Sequence, residues 1–267
     1  MSKAYFEKPY DIVASMDEGI AIHLAPPALF HIGSIPVTNT LITTFVVAAL
    51  IIIFAYLSGR ALMLKPSRYQ AVIEALVMYP YEFARETLQN DQVTERAYPI
   101  VMTIFLFTLF QNWFGLLPIN ESLPFFYAAA ADLNYPLALA IISAITVEFF
   151  GIATLGALKY GGKFITFKSP MAFVVGLIEL VSEIARLVTF SFRLFGNIFA
   201  GKVLILVIMF FVPVLLPVPF LAYEVFVGFI QAVIFALLTL FFIKMAIEIH
   251  EEDHEEGADA PALAKAG

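Results

Sequence analysis

Long apolar runs alternate along the chain with short charged or proline-rich breaks. A hydrocarbon core of about 30 Å is crossed by about 20 apolar helical residues. Residues 37–58 meet that requirement: they are uncharged, rich in Ile, Val and Ala, and are followed by Arg60, Lys65 and Arg68. Over 67–90 the period changes. Tyr69, Val72, Ile73, Leu76, Val77, Phe83 and Leu88 recur at helical spacing against Glu74, Glu82, Arg85 and Glu86. That pattern predicts an amphipathic helix lying along the membrane surface and interrupted at Pro80. Two further spans are predicted over 98–117 and 133–158. They are separated by a loop with Pro118, Asn120, Glu121 and Pro124, and followed by a basic loop with Lys159, Gly161, Gly162, Lys163 and Lys168.

The last third departs from this rhythm. Residues 171–212 contain no proline, and after Pro213, Pro217 and Pro219 a second proline-free run covers 220–250. At ~1.5 Å per residue these helices would measure on the order of 60 and 45 Å. A modest tilt does not absorb such an excess over the hydrocarbon thickness. The expectation is a hairpin of two long, steeply tilted helices laid against another protein rather than against lipid alone. The fold class is therefore an all-α membrane protein with about five membrane-embedded helices and one amphipathic surface helix.

Composition agrees. Of 267 residues, 61% are hydrophobic and only 14% charged, against about 45–50% and about 25% in soluble domains. One membrane domain over 37–250 is expected, between an outer N-terminal segment, 1–36, and an acidic inner tail, 251–267. The formal charge of −7 sits almost wholly at the end: Glu248, Glu251, Glu252, Asp253, Glu255, Glu256 and Asp259 face Lys265 alone. No basic patch points to nucleic acid, and the absence of cysteine excludes disulfides and thiolate chemistry. The N-terminal residues resemble neither a signal nor a transit peptide. Arg60, Lys65, Arg68, Arg85 and Arg96 fall on the side of Lys159, Lys163 and Lys168, while 118–132 has no Lys or Arg. The positive-inside rule then places the N-terminus outside and the tail in the cytoplasm.

Glu148, Glu179, Glu183, Arg186, Arg193, Lys202 and Glu224 lie inside apolar runs, where each charge costs about 2.5–3.5 kcal/mol on insertion scales. Glu179, Ser182, Glu183, Arg186, Thr189, Arg193 and Asn197 share one face by their i, i+3, i+4 spacing. Such a face can line a wet path, or its charges can satisfy one another, as Glu183 and Arg186 could. Arg193 has no acid one turn away in either direction, so its counter-charge is expected from another helix or another chain. A guanidinium stays protonated and acts as a fixed cation, not as a proton carrier. On the second long helix Glu224, Gly228, Gln231 and Phe235 share a face. Glu224 reads as a proton-accessible site or as a satisfied acid, and Gln231 as a functional group or as packing between helices.

The string from Ser191 through Arg193, Leu194, Phe195, Gly196 and Asn197 to Gly201, followed by Ile230, Gln231, Ala232 and on to Thr239, resembles subunit a of the F-type ATP synthases. Ala131-Asp132-Leu133-Asn134 is similar as well. The resemblance covers nearly the whole chain. It implies a stator beside a rotating ring of small c subunits, each with a mid-membrane carboxylate, together with peripheral-stalk b subunits and the rest of the synthase, in a bacterial inner membrane. It implies no cofactor and no active site in the chain itself. Arg193 takes the place of the family's essential arginine, Asn197 that of the asparagine one turn later, Gln231 that of the facing glutamine, and Glu179 that of the inner glutamate. Two proton half-channels would meet the ring on either side of Arg193. One departure stands out: where many relatives pair a glutamate with a histidine in the outer half-channel, this chain has Lys202 and Glu224. Glu224 is then the expected relay and Lys202 its partner, bridging the long helices or tuning the carboxylate. The role of Glu148 is left open.

Two other classes are weighed. His250-Glu251-Glu252-Asp253-His254 has the H-E-x-x-H spacing of zinc proteases, but it follows the last span in an acid-rich tail and reads as a solvated segment. A self-contained channel or carrier predicts ion flux by the chain alone, whereas a stator needs its ring.

Overall fold

A computed structural model of the chain describes residues 28–32, 35–60, 66–117, 127–162, 170–212 and 215–259. The architecture is helical apart from one antiparallel hairpin, β1 (Ala28–Ile32) with β2 (Ile35–Thr38), in the segment ahead of the first span. The helices are α1 (Asn39–Arg60), α2 (Arg68–Leu88), α3 (Asp91–Gly115), α4 (Asn134–Leu155), α5 (Ala157–Gly162), α6 (Pro170–Phe211) and α7 (Pro217–Asp259), with a single 3₁₀ turn at Ala129–Ala131. Five of them, α1, α3, α4, α6 and α7, are long and apolar enough to cross a membrane. The two final helices, 42 and 43 residues long, match the expected pair of long helices.

Two corrections concern α2 and α3. Pro80 does not interrupt α2, which runs through it from Arg68 to Leu88. Proline gives no N–H to the preceding turn, and the Tyr98 hydroxyl donates to the Val77 carbonyl of that turn. The Tyr81 and Tyr98 rings meet edge to face, centroids 5.2 Å apart. α2 is bounded by local chemistry: the Ser67 hydroxyl accepts the Gln70 N–H at its start, and Gln89 at φ 51° returns its N–H to the Arg85 carbonyl at its end. α3 begins at Asp91 rather than near 98 and passes through Pro99. Asn90 accepts the Val93 N–H through its side chain, a cap that the apolar run alone did not reveal. The Arg85 guanidinium donates to Asp91 at 2.8 Å, and this hydrogen bond and charge raise its pKa above the ordinary value.

The chain forms two compact units. The first holds α1, 106–115 of α3, the 3₁₀ turn, the start of α4, 190–211 of α6 and 217–232 of α7. The second holds α2, 91–105 of α3, the rest of α4, α5, 170–189 of α6 and 233–259 of α7.

In the first unit, α1 buries Asn39, Thr40, Thr43 and Val47 and exposes Phe45, Ile52 and Ile53, the arrangement of a helix that faces lipid on one side. The Thr40 hydroxyl donates to Asp132 at 2.9 Å, and the Tyr127 N–H donates to Thr43 at 3.2 Å. The other Asp132 oxygen takes the backbone N–H of Asn134 and its side-chain amide. Asp132 thus secures the start of α4 and ties it to α1, a structural account of the Asp132-Leu133-Asn134 string. In the second unit, Ser143 and Thr239 share a buried hydroxyl–hydroxyl bond of 2.7 Å between α4 and α7. Phe83 of α2 packs edge to face on Phe241 of α7.

Candidate functional site: the polar faces of the two long helices

The first unit brings together α3, α6 and α7. Trp113 donates its indole N–H to the Val225 carbonyl at 3.1 Å, and Asn112 donates its amide to the Gly228 carbonyl at 3.0 Å. Gly228 permits that approach, since a Cβ there would lie 3.2 Å from the Asn112 Cβ. One turn on either side of Gly228, Glu224 and Gln231 are buried on the same inward face. The Glu224 carboxyl fills the space a side chain at Gly201 of α6 would need: a Cβ there would be driven into Oε1, Cδ and Oε2. Glycine at 201 is therefore what lets an acid sit between the two helices.

Among the described residues, no hydrogen bond or ion pair reaches Glu224. Lys202, next to Gly201, is half-buried with its ammonium 4.0 Å from the centre of the Tyr127 ring, close enough for cation–π attraction. Buried amide atoms without a partner among the described residues gather in this unit: both ends of Gln111, Oδ1 of Asn112, Nδ2 of Asn197 and Nε2 of Gln231. Unpaired buried amides are rare in a dry core because each costs about 1–3 kcal/mol.

Arg193 points elsewhere. It is exposed on α6, while Phe190, Ser191, Leu194 and Ile198 of the same helix are buried. Its guanidinium stands 6.0 Å from the centre of the Phe190 ring. No ion pair or hydrogen bond joins it to any acid among the described residues.

In the second unit, Arg186 Nη1 donates to both Glu183 carboxylate oxygens at 3.2 and 3.0 Å. Its guanidinium carbon lies 3.6 Å from the centre of the Phe242 ring on α7. Ser182 and Thr189 are exposed, and each hydroxyl donates to its own helix, to Ile178 O at 2.9 Å and to Ala185 O at 2.7 Å. Their oxygens are left to accept. Glu179 is half-buried. The side chains of His250 and His254 lie outside the described residues, and no group of His, Cys, Asp and Glu able to hold a metal occurs among the described ones.

Asn112, Gln111, Trp113 and Gly201 were not singled out from the sequence for these contacts. The signal was present in one case: Gln111-Asn112 is a polar pair in the middle of an apolar run, where polar groups face a partner rather than lipid.

Five apolar helices with charged groups carried inside them define a multi-pass membrane protein built around intramembrane polar chemistry. The family model of the ATP synthase A chain matches residues 41–244, and the chain belongs to that family. Among curated relatives, the ATP synthase subunit a of Legionella pneumophila (strain Paris) is 32% identical over 236 residues, covering 88% of this chain and 96% of its own. That of Moorella thermoacetica is 31% identical over 230 residues, covering 85% and 99%. That of Mycobacterium ulcerans is 33% identical over 228 residues, covering 81% and 90%. The chain is accordingly a membrane subunit of an ATP synthase and not an enzyme on its own.

Proposed function

We propose that this chain is the stator of the synthase's membrane sector, offering two proton half-channels to a rotating ring of c subunits, each with a carboxylate at mid-membrane. The observation that carries the reading is Arg193: a permanent cation, exposed on an apolar helix, with no acid of the described chain to neutralise it. In lipid an ionised carboxylate is prohibitively costly, so a ring acid travels only while protonated. Opposite Arg193 the ionised form becomes affordable. The guanidinium draws the acid into releasing its proton to one path and repels protons that would leak straight to the other. A charge crossing the membrane gains about 2.3 kcal/mol per 100 mV, and rotation collects that energy.

The outer path is assigned to Glu224, which Gly201 admits between the helices, with Gln231 and Asn197, whose buried amide nitrogens have no partner among the described residues. Lys202 is the neighbouring cation. The inner path is assigned to Glu179, Ser182, Glu183 and Thr189. The steep tilt of α6 and α7, the inner-membrane location, an outer N-terminus, and contact with b subunits belong to the same reading, as does the division into an outer segment 1–36, a membrane domain 37–250 and a tail 251–267. Arg193→Ala is expected to assemble normally and to abolish proton-driven ATP synthesis in sealed vesicles. Coupled synthesis at the parental rate in that variant would rule the assignment out.

A further inference from the structure

In the first unit an acid and a lysine lie close together in the fold and do not pair. The Glu224 carboxyl fills the space beside Gly201 of α6, and Lys202 is the next residue along that helix. A lysine ammonium rides on a flexible four-carbon stem, long enough to reach a carboxylate lodged against the neighbouring residue. Yet no hydrogen bond or ion pair reaches Glu224 among the described residues. The ammonium stands instead over Tyr127, 4.0 Å from the centre of its ring. That ring has a fixed footing. The Tyr127 N–H donates to the Thr43 hydroxyl of α1, which is fully buried and itself donates to the Asn39 carbonyl. The residues that follow Tyr127, Ala128 to Ala131, are all buried.

An aromatic face and a carboxylate both attract a lysine, by different means and with different consequences. A carboxylate in an ion pair is held in its charged form. Glu224 paired in that way would be closed to a proton. The face of an aromatic ring attracts the cation through its quadrupole and leaves the acid alone. We propose that Tyr127 is a positioning residue for the outer path: its ring holds the Lys202 ammonium off Glu224, so that the carboxylate stays open to a proton. The inference rests on the outer path proposed above, in which Glu224 takes up a proton and hands it on, with no other bond made or broken. It explains how a lysine can stand beside a relaying acid without shutting the relay. Gly201 makes room for the acid, and Tyr127 gives the neighbouring cation a different place to dock.

The test is proton uptake by the assembled complex in sealed vesicles under an imposed membrane potential, read as a double-variant cycle. Tyr127→Phe keeps the ring face and should take up protons at nearly the parental rate. Tyr127→Leu removes the face and should slow uptake several-fold at parental amounts of assembled subunit. In a Lys202→Gln background the same Tyr127→Leu change should cost nothing further, because no ammonium is left to swing onto Glu224. A merely structural tyrosine would instead cost the same in both backgrounds. Equal losses in the two backgrounds, parental uptake in Tyr127→Leu, or a Tyr127→Phe loss as large as that of Tyr127→Leu each overturns the proposal. Should Tyr127→Leu not assemble, phenylalanine with increasing ring fluorination at 127 decides in its place, since it keeps the shape and weakens the attraction of the face for a cation. Uptake should fall along that series, and a flat series overturns the proposal equally. Arg193→Ala separates the two readings. If it retains coupled synthesis, proton conduction by this chain fails; if it loses synthesis while Tyr127→Leu is silent, only the positioning role falls.

Discussion

Arg186 and Arg193 lie two turns apart on one helix and carry the same charge, yet their surroundings differ in kind. Arg186, in the second unit, has Glu183 at 3.0 Å and an aromatic face at 3.6 Å, and its side chain is 20% exposed. Arg193, in the first unit, is exposed, has only the Phe190 ring at 6.0 Å, and meets no acid of the described chain. A charge in an apolar run is costly wherever it stands. Arg186 offsets that cost within the chain, through Glu183 and the Phe242 ring. Arg193 finds no such acid among the described residues, and that is the difference on which its proposed role opposite a ring carboxylate rests.

The contrast can be broken most directly at these two positions. Arg193→Ala should cost all measurable proton-driven synthesis while leaving the amount of assembled subunit unchanged. Arg186→Ala should do the reverse in kind: it strands Glu183 and removes a cation–π contact, and it is expected to lower stability by about 2 kcal/mol, discounted from the 3–5 kcal/mol of a fully buried pair because both side chains are partly exposed. Thermal denaturation of the purified complex and subunit yield in membranes measure that. If Arg186→Ala assembled fully and Arg193→Ala did not, the division between the two arginines would be wrong.

A smaller effect is expected where the first unit admits its buried acid. Gly201→Ala places a methyl where the Glu224 carboxyl lies, and overpacking of this kind costs about 1–3 kcal/mol. Proton uptake should fall with it. Gly59, with open space around it, is the control, and Gly59→Ala should leave uptake unchanged. The smallest effect belongs to Ser182, whose hydroxyl already donates to its own helix. Ser182→Ala is expected to change stability by less than about 0.5 kcal/mol and uptake by less than about two-fold, which is about 0.4 kcal/mol of barrier. A large loss there would move the inner path onto that hydroxyl and away from the acids.

Much of the candidate site was legible in the sequence, and for a specific reason. A charge or amide inside an apolar run is improbable enough to identify itself, which is why Arg193, Glu224 and Gln231 stood out by position alone. The Glu183–Arg186 contact was readable only as a possibility, because i, i+3 spacing permits a bond without requiring it; the structure makes that bond at 3.0 Å. Tyr160 was not readable. It sits in a short helix just past a span, and its burial depends on Gly151 leaving a groove that no local pattern announces. Asn112 is 116 residues from the carbonyl it reaches. Pro80 misled because the usual penalty of proline in a helix is local, whereas the tyrosine that serves the affected turn is 21 residues from the carbonyl it bonds.

The chain's own residues therefore determined the solvent, the number of crossings and the positions of the charges inside the apolar runs, since apolar content and charge are properties each segment carries with it. Tertiary structure alone decided which charges are matched, which glycine admits an acid and which phenol is buried. Those outcomes depend on contacts between helices far apart in sequence, and a contact of that kind exists only once the helices have packed.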